Sequence, residues 1–528
     1  MSYSRSFFYG LVSLCCLFQA CKHKNRVDAS LLKTVPTAEQ VGASCMPDSI
    51  APVDAPFPMD NMKRPVFPDR TKNLKDLGAK EGMMITAIIQ EAIDELSEKG
   101  GGKLVIPKGK WETGRISLKS HVNLHLEEGA ALYFSGEIKD YLPVVFTRNE
   151  GIEVMSLGAC IYANNQEHIA ITGKGRLIGP AEGSVRKQIM THDVIENVVP
   201  HDKPVAERIY NGKDGSFIFP PMFIAPINCK DVLIEGIRLE RTAFWNIVPQ
   251  YCDQVIIRGV TIHSIDIPRG DGIDIESSKN VLIEYCTLQT GDDCLAMKAG
   301  RGWDGLRINR PTENVVVRYC LAEKGHGGIT IGSETAGMVR KLYVHDCVFN
   351  NEGNGIRFKT RRPRGGGGEQ LFYDRIRMRV GETALRWDML GSAKHVGAAA
   401  SRSQDIAVNE LTPHFRDIQI RNLMIEGASH FMRVDGIPEA PLENVQIHQV
   451  KARVEKLFDI KDASDIAIEN AELISQDSII NLVNTHDISF SKVNFAIPAK
   501  QIYQHISSGD SDSLMLKDIS YTKINRLK

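Results

Sequence analysis

The chain has 528 residues, enough to bury a large core and more than most single domains contain. Lys and Arg number 64 against 65 Asp and Glu, so the chain has no global field that would favour nucleic acid. A hydrophobic content of 42% is typical of a globular protein and excludes a disordered chain. Any anionic ligand must therefore be bound by a local group of basic side chains.

The N-terminus predicts export from the cytoplasm. Arg5 precedes the apolar run FFYGLVSLCCLF, which is too short to span a bilayer as a helix of the mature protein. The following QACKHK resembles a bacterial lipoprotein cleavage site, with Cys21 as the lipidated residue. An ordinary secretory signal is the alternative. We expect a protein of the periplasm, or an outer-membrane lipoprotein whose only attachment to the membrane is the lipid.

A strand motif recurs along the chain and predicts the fold class. Each copy starts with a polar residue, most often Asn or Asp, and then alternates apolar and polar residues, as a strand with one buried face does. The spacing lies mostly in the low-to-middle twenties, which fits a solenoid but is too short for a strand plus a long helix. We therefore predict an all-β protein, a right-handed parallel β-helix. The copies begin at Asp231, Gln254, Asn280, Asn314, Lys341, Asp417, Asn444, Asp465 and Asp487.

The cysteines beyond the N-terminal segment predict buried thiols. Cys286, Cys320 and Cys347 occupy the same place in successive copies of the motif, and Cys229 and Cys252 share another. A chain this large needs no disulfide framework, and no CxxC spacing suggests a metal site. We expect an interior ladder of small thiols, with disulfide bonding as the alternative.

An amphipathic helix and two loops complete the predicted solenoid. The stretch MITAIIQEAIDELSEKGGG predicts a helix that ends at Gly100 to Gly102 and covers the open end of the β-helix. Residues 182–220 and the segment from Thr360 to about Pro413 interrupt the repeat and predict long loops. The apolar face of the helix comprises Ile85, Ile88, Ile89, Ala92, Ile93 and Leu96.

Polar clusters interrupt consecutive copies of the motif. Asp271 lies 21 residues before Asp292, about one coil, so we expect the two clusters to stack. The four clusters are RGDGIDIESS with Asp271 and Asp274, GDDC with Asp292 and Asp293, KGHGGITIGSE with His326, and GIRFKTRR with Arg357 and Lys359.

Crowded carboxylates predict acid–base chemistry. Like charges this close cannot all ionise easily, so we expect Asp271 and Asp293 to raise the pKa of Asp292. One protonated carboxyl beside ionised partners is what hydrolysis of a glycosidic bond needs. Each motif has an alternative interpretation when it is taken alone. A DD pair indicates a turn or a solvated face, a lone GHG indicates a histidine in a loop, and an acidic cluster outside the cell could bind calcium. Their recurrence at coil spacing favours catalysis.

Basic residues gather around the same coils. Arginine forks suit sugar carboxylates, so these side chains predict an acidic saccharide ligand. For the residues from Arg361 to Arg364 a solvated loop is the alternative interpretation. The group comprises Lys298, Arg301, Arg357, Lys359, Arg361, Arg362 and Arg364.

The ordered set GDGID, GDD, GHGG…IGSE and RFK resembles the polygalacturonases of glycoside hydrolase family 28. The resemblance extends over roughly residues 65 to 430, including GGGKLVIPKGKWETGRISLKSHVNLHLEEGAAL and AFWNIVPQYCDQVIIRGVTI. It implies a right-handed β-helix and an inverting hydrolysis that needs no cofactor and no metal.

Family roles can be carried over residue by residue. The resemblance implies that Asp292 is the general acid and that Asp271 and Asp293 hold and deprotonate the attacking water. His326 keeps the acid correctly protonated. Two departures concern the substrate: the family's Asn-Thr-Asp is here Arg269-Gly270-Asp271, and its late substrate-contacting tyrosine has no evident counterpart. The resemblance implies that Arg357 and Lys359 bind the galacturonate carboxylate. From the group of basic residues we also expect Lys298 and Arg301 to bind substrate.

The sequence therefore predicts a signal at residues 1–21, a tether at 22–65 and one catalytic β-helix domain at 66–528 that acts as a monomer. The expected activity is hydrolysis of α-linked galacturonic acid in pectic polysaccharide. KAGR after GDDC and the IRFKTRRPRGGGG stretch resemble the bacterial exo-acting branch, and the two long loops predict a wall across the groove. Alternatives are a rhamnogalacturonan or xylogalacturonan hydrolase, a calcium-dependent pectate lyase, and a noncatalytic β-helix carbohydrate-binding surface protein.

Overall fold

A computed structural model describes residues 33–187, 195–213, 217–507 and 511–524. Strands of successive coils pair in parallel along the length of the chain, which confirms the predicted right-handed parallel β-helix. Only β7 and β8 pair antiparallel among the strand pairs of the described residues. The strands are β1 (Thr71–Asn73), β2 (Gly102–Ile106), β3 (Gly109–Thr113), β4 (Ile116–Ser117), β5 (Val122–Leu126), β6 (Ala130–Phe134), β7 (Val145–Asn149), β8 (Ile152–Ser156), β9 (Ala159–Asn164), β10 (Glu167–Gly173), β11 (Arg176–Ile178), β12 (Met222–Ile227), β13 (Lys230–Glu235), β14 (Arg238–Glu240), β15 (Asp253–Arg258), β16 (Thr261–Ser264), β17 (Ile273–Glu276), β18 (Lys279–Glu284), β19 (Thr287–Thr290), β20 (Leu295–Lys298), β21 (Thr312–Arg318), β22 (Leu321–Lys324), β23 (Gly327–Ile331), β24 (Val339–Asn351), β25 (Asn354–Lys359), β26 (Gly367–Val380), β27 (Thr383–Asp388), β28 (His414–Gly427), β29 (His430–Asp435), β30 (Leu442–Val454), β31 (Lys456–Ser475), β32 (Ile479–Ile497), β33 (Tyr503–Ile506), β34 (Met515–Lys517) and β35 (Ser520–Lys523).

Helices are short apart from the first. The α-helices are α1 (Thr86–Glu98), α2 (Ser184–Lys187), α3 (Ile195–Val198), α4 (Gly302–Ile308) and α5 (Ala393–Val396). Single 3₁₀ turns cover Ala38–Gln40, Ala43–Cys45, Leu74–Leu77, Ile138–Tyr141, Val205–Glu207, Arg362–Arg364 and Gly397–Ala400. No helix in the part of the chain that the structure describes is long and apolar enough to cross a membrane.

The parallel pairings between coils run in three series, for example β15 with β18, β16 with β19 and β17 with β20, and they enclose one continuous hydrophobic core. We call sheet C the one that contains β17, β20, β23, β25 and β27, since its outer face carries the polar clusters. Its registers place Asp274, Ala296, Thr330 and Arg357 in one row across four coils. Neighbouring parallel strands lie about 4.8 Å apart, so chemistry that is distant in sequence becomes adjacent here.

The polar residue that starts each strand motif has a conformational reason. All nine of these positions adopt the left-handed conformation, with φ of 54° at Asn280 and Asn314, for example. Asn and Asp tolerate this region better than other residues with a Cβ. Their amides also form a ladder, because Asn280 Nδ2 donates to Asp253 Oδ1 at 2.7 Å and Asn314 Nδ2 to Asn280 Oδ1 at 3.1 Å.

The thiol ladder is confirmed. Cys286, Cys320 and Cys347 are fully buried, unpaired thiols inside the coil stack. Cys229 and Cys252 are buried free thiols as well. Burial raises the pKa of Cys286 and Cys320, so these thiols are inert packing groups rather than nucleophiles.

The predicted capping helix is α1. Ile89, Ile93 and Leu96 face the core, and the helix contacts β2, β4 and β5 at the N-terminal end of the solenoid. It ends in a Schellman motif, in which Gly101 N donates to Leu96 O at 2.7 Å and Gly100 has φ of 85°.

The tether predicted over residues 22–65 is not a free linker where the structure describes it. Phe57 and Met62 are buried in an apolar cluster with outward-facing residues of several coils, including Leu233 and Ile256. The alternating motif does not predict this packing, because it assigns only one face of each strand to the core. Buried arginines fix the segment further: Arg258 Nη2 donates to Pro47 O at 2.7 Å, for example. Residues 1–32, with the predicted signal and Cys21, lie outside the described residues.

The prediction of one long loop from Thr360 to about Pro413 is wrong over its middle part, because β26 and β27 lie inside this segment and continue the parallel pairing. The second loop consists only of the stretches before β26 and after β27.

Buried arginines attach the first loop and the second loop to the solenoid. Arg208 in the first loop pairs with Asp304 of α4 at 2.9 Å, with both side chains almost fully buried. Arg362 in the second loop binds both carboxylate oxygens of Glu439 at 2.7 and 2.9 Å and also donates to two loop carbonyls. A buried bidentate pair of this kind holds a loop in one position.

Candidate active site

Three carboxylates meet at the start of sheet C strands. Asp271 precedes β17, and Asp292 and Asp293 precede β20 one coil later, where Gly272 N donates to Asp293 O at 2.9 Å. One oxygen from each carboxylate lies within 4.8 Å of the others. The bend before the strand turns Asp292 and Asp293 toward the same groove, as the sequence predicted.

The carboxylates differ in exposure. The side chain of Asp292 is 26% exposed, whereas those of Asp271 and Asp293 are 5% and 1% exposed. Both carboxylate oxygens of Asp293 are buried and have no hydrogen-bond donor among the described residues. Asp292 is therefore the carboxylate that a substrate can contact directly.

Glycine leaves the space for this arrangement. Gly327 follows His326, and its carbonyl oxygen accepts a hydrogen bond at 2.9 Å from the backbone N of Cys294, the residue after Asp293. A Cβ at residue 327 would lie 2.7 Å from Asp293 Oδ1, closer than real Cβ contacts. The glycine after the histidine in GHGG thus leaves room for the Asp293 carboxylate and for the Thr330 hydroxyl, which a Cβ would approach even more closely.

His326 contacts the exposed carboxylate. Its Nδ1 lies 3.3 Å from Asp292 Oδ1, and its backbone N donates to Asp292 O at 3.0 Å. The hydrogen bond with Asp292 is the main cause that raises the pKa of His326, against partial burial, which lowers it. The protonated imidazole is therefore favoured beside this carboxylate.

The prediction that Asp292 has a raised pKa is wrong for the unliganded protein. Burial raises the pKa of Asp292, but the hydrogen bond with His326 and the charge of Lys359 outweigh burial and lower it. Burial, followed by the charges of Asp274 and Asp292, raises the pKa of Asp271 well above its usual value. The crowding argument was correct for the cluster, but the shared proton resides on Asp271 because the cations lie beside Asp292.

Lys298 lies inside a group of acids. Its Nζ is 3.6 Å from Asp271, 3.4 Å from Asp274 and 3.2 Å from Glu334, and it lies 4.1 Å from the centre of the Trp245 ring. Burial lowers the pKa of Lys298, but the surrounding acids raise it well above its usual value. Trp245 thus packs on a lysine.

Asp274 is the least solvated acid of the site. It is fully buried, and neither oxygen has a hydrogen-bond partner in the described part of the chain. Burial raises its pKa to about 8, although Lys298 acts in the opposite direction. A neutral Asp274 beneath the groove limits the total negative charge of the cluster.

Arg357 and Lys359 face the groove as their alternation predicted. Arg357 Nη1 lies 3.5 Å from Asp293 Oδ1, and Lys359 Nζ lies 3.7 Å from Asp293 Oδ2. Phe358 between them is buried and stacks on Trp387 with ring centres 4.4 Å apart. Both cations are about one-fifth exposed, so they have atoms free for a ligand.

Two further cations and two acids complete the wall. Arg301 Nη2 donates to Glu334 Oε1 at 2.6 Å, and Arg301 Nη1 lies 3.2 Å from Glu150. Glu150 is in the turn between β7 and β8, and it also pairs with Arg269 at 2.9 Å. Sequence reasoning gave no role to Glu334, although it quoted the IGSE motif, and Glu150 carries no motif at all.

These side chains surround a cavity of about 250 Å³. The structure brings together Asp271, Asp292, Lys298, Arg301 and Lys359 in its lining, while Asp293, His326 and Arg357 adjoin it. The second loop adds residues that sequence reasoning did not single out. The remaining lining residues are Glu150, Trp245, Arg269, Ser333, Glu334, Arg361, Arg364, Lys394 and His395.

The charge of the neighbourhood argues against a divalent cation. The three carboxylates are close enough to bind one, but Lys298, Arg357 and Lys359 each lie within 3.7 Å of the cluster. A metal ion would have to displace or repel these three cations.

Comparisons with known proteins agree with the site. A family model described as glycosyl hydrolases family 28 matches residues 218–384. A probable polygalacturonase of Vitis vinifera is 29% identical over 70% of this chain and 72% of its own length. An exo-poly-alpha-D-galacturonosidase of Dickeya chrysanthemi is 25% identical over 57% of this chain and 54% of its own length.

Solved structures of exopolygalacturonases are also similar to this chain. A hyperthermoactive exopolygalacturonase from Thermotoga maritima superposes with a TM-score of 0.64 and 29% identity, covering 84% of this chain and 94% of its own. A family 28 exopolygalacturonase of Yersinia enterocolitica, 20% identical with a TM-score of 0.55 over 86% of this chain and 78% of its own, shares the fold. These matches confirm the resemblance that the motifs indicated.

The contact between His326 and Asp292 makes a testable prediction. In the wild-type protein the imidazole should titrate above the usual value of about 6.5. Asp292→Asn removes the main cause of that shift, so the pKa of His326 should fall, and NMR titration of the imidazole signals measures it. His414 lies elsewhere on the solenoid and should titrate identically in both proteins. An unchanged His326 pKa in the variant would mean that the contact does not form in solution.

Proposed function

We propose that this member of glycoside hydrolase family 28 hydrolyses α-linked galacturonic acid in pectic saccharides, acting from the non-reducing end with inversion. The observation that carries the proposal is the cavity itself, in which a carboxylate cluster with one shared proton adjoins a wall of cations. The two polygalacturonase relatives and the Thermotoga exopolygalacturonase support the substrate class.

Asp292 is the proposed proton donor. It is the most exposed carboxylate of the cluster, so it can reach the oxygen of the scissile bond. In the free protein the proton is held by Asp271, whose pKa is raised by burial and by its acidic neighbours. Since oxygens of the two carboxylates lie within 4.8 Å of each other, one bridging water molecule would carry the proton from Asp271 to Asp292.

Substrate binding itself would transfer that proton. The charge of Lys359 is one cause that lowers the pKa of Asp292. A galacturonate carboxylate bound to Lys359 and Arg357 cancels that charge, so the pKa of Asp292 rises when the substrate arrives. The acid is then protonated when the bond to be cleaved is in place.

Asp293 and Asp271 are the proposed bases. Both oxygens of Asp293 lack a donor among the described residues, so they can accept hydrogen bonds from the attacking water. Lys298 and Arg301 are buried against acids and orient them. We propose that both also contact the substrate directly, since both line the cavity.

Burial argues for inversion. The carboxylate oxygens lie within 4.8 Å, closer than the roughly 6.5–9.5 Å usual between the carboxyl groups of inverting enzymes. A retaining mechanism needs a carboxylate that bonds to the sugar carbon, but Asp293 is 1% exposed. Covalent attack would require Asp293 to open to a whole sugar ring, whereas activation of water requires only that one water molecule enters beside its carboxylate, so we propose a single displacement by water.

A wall on one side of the cavity favours exo-action. Ligand sites commonly enclose about 300–1,000 Å³, and this cavity is slightly smaller. Lys394 and His395 of α5, in the second predicted loop, form one of its walls. A walled cavity of this size admits a chain end rather than the middle of a polymer. The first loop supports the wall from behind, through Arg208 and Asp304.

The alternatives are less well supported. A lyase needs calcium and an unpaired base, whereas the cations here neutralise the carboxylates. A noncatalytic saccharide-binding protein has no use for a buried acid with a raised pKa. Rhamnogalacturonan and xylogalacturonan hydrolases are not favoured by the comparisons.

Export with a lipid on Cys21, and action as a monomer, are further parts of this proposal. Mass spectrometry of the N-terminal peptide from the native host should find Cys21 as the first residue, carrying a diacylglyceryl group. An unmodified terminus at another residue would remove the lipid anchor and leave ordinary secretion.

The direct test is a product time course on polygalacturonate. Single galacturonic acid residues should accumulate from the first minutes while polymer viscosity falls slowly, because each event removes one terminal sugar. Early oligosaccharides of intermediate length would contradict exo-action. Absence of any cleavage would contradict the proposed function.

Two controls accompany the time course. Asp292→Asn keeps the shape of the site but cannot donate a proton, and kcat should fall by roughly 10²–10⁴-fold. Prior chelation of divalent cations should leave wild-type turnover unchanged, and no unsaturated product should form. Loss of activity after chelation would favour the lyase.

A further inference from the structure

Arg361 is an unusual cation of the cavity wall. It follows β25 and is only 9% exposed. No carboxylate of the described residues pairs with its guanidinium, and its buried Nε has no hydrogen-bond partner among them. Buried charges are otherwise paired, as Arg362 next to it is, with Glu439 at 2.7 Å.

Burial and neighbouring cations disfavour the positive charge of Arg361, and a bound anion would stabilise it. Burial is the main cause that lowers the pKa of Arg361; the charge of Asp388 raises it, and the net shift is downward because Arg301 and Arg357 add to burial. His395 lies on the same wall, where burial and the charges of Arg361 and other cations lower its pKa to about 4. A desolvated guanidinium in such a field gains strongly from a carboxylate.

The second loop closes directly behind this side chain. Gly391 has φ of 71°, and a Cβ there would lie 2.9 Å from both Cγ and Nη1 of Arg361. Glycine therefore lets the loop backbone lie against the guanidinium. A ligand that binds Arg361 has the cavity wall beyond it and cannot continue in that direction.

We propose that Arg361 binds the carboxylate of the non-reducing-terminal galacturonate and so makes the enzyme select an unesterified chain end. Arg357 and Lys359 adjoin Asp293 and serve the sugar carboxylate nearest the reacting bond, whereas Arg361 lies against the wall. The planar fork of arginine suits a carboxylate with two oxygens. This inference rests on the proposed exo-hydrolysis.

Matched oligosaccharides test it. The probes are trigalacturonate and the same trisaccharide with only its non-reducing-terminal carboxyl methyl-esterified. The wild type should prefer the free acid. Arg361→Gln should lower kcat/KM for the acid on the order of 100-fold, as expected when one partner of a buried charge pair is removed. Its kcat/KM for the ester should stay within a few-fold of the wild-type value.

Two variants serve as controls. Arg361→Lys keeps the charge and should recover part of the preference for the acid. Arg416→Gln removes an exposed arginine that pairs with Glu369 away from the cavity, and it should behave as wild type on both probes. The melting temperature of Arg361→Gln verifies that it folds.

Binding gives a readout that does not depend on turnover. Calorimetry should find that Arg361→Gln binds the monosaccharide galacturonate more weakly than wild type does and binds galactose equally weakly. If wild type cleaves neither trisaccharide, the proposed function fails. If wild type cleaves them but Arg361→Gln keeps the preference for the acid, or loses activity on acid and ester alike, the role of Arg361 is overturned.

Discussion

The spacing of about 4.8 Å between parallel strands is the constraint on which the site depends. It places carboxylates from successive coils so close that they cannot all carry charge. Asp271 and Asp293 come together because Gly272 pairs with the coil that contains Asp293. The same strand registers place positive charge beside these carboxylates. Arg357 and Lys359 lie two coils further along and reach Asp293 across Gly327. A crowded acid cluster thus holds protons at Asp271 and Asp274 and carries little net charge.

The second property of the site is its excess of cations on one wall. Glu334 partly neutralises it by contacting Lys298 and Arg301. Burial, together with the remaining charges of Arg361 and other cations, lowers the pKa of His395 to about 4. Such a field attracts a uronic acid, gives a neutral sugar no net charge interaction and repels a basic sugar, so charge selects the substrate class and the loop wall selects the chain end.

Much of this could be predicted from the sequence because it follows from periodicity. The coil spacing predicted the stacking of Asp271 with GDD, the thiol ladder at Cys286, and the inward-facing Phe358 between two outward cations. The identity of the protonated acid could not be predicted, because it depends on whether Lys359 and His326 lie nearer Asp292 or Asp271. A difference of a few ångströms in the placement of these side chains decides which acid holds the proton.

Loops account for the rest of what sequence reasoning missed. Glu150 reaches the cavity wall from a hairpin that precedes the acids by more than a hundred residues. His395 reaches it from a loop that contains no copy of the strand motif. The N-terminal segment looked like a linker because proline-rich composition does not reveal that Phe57 packs on the outer face of the sheet. Contacts that depend on tertiary docking carry no local pattern.

The central claim is that a buried carboxylate activates water for direct displacement, although the cluster is more compact than is usual for inverting enzymes. Proton NMR of the first product released from α-linked trigalacturonate, recorded before mutarotation, tests it most directly. The account predicts that the β-anomer of the newly formed reducing end appears first. Initial release of the α-anomer would mean that a carboxylate attacks the sugar itself, and would contradict the account.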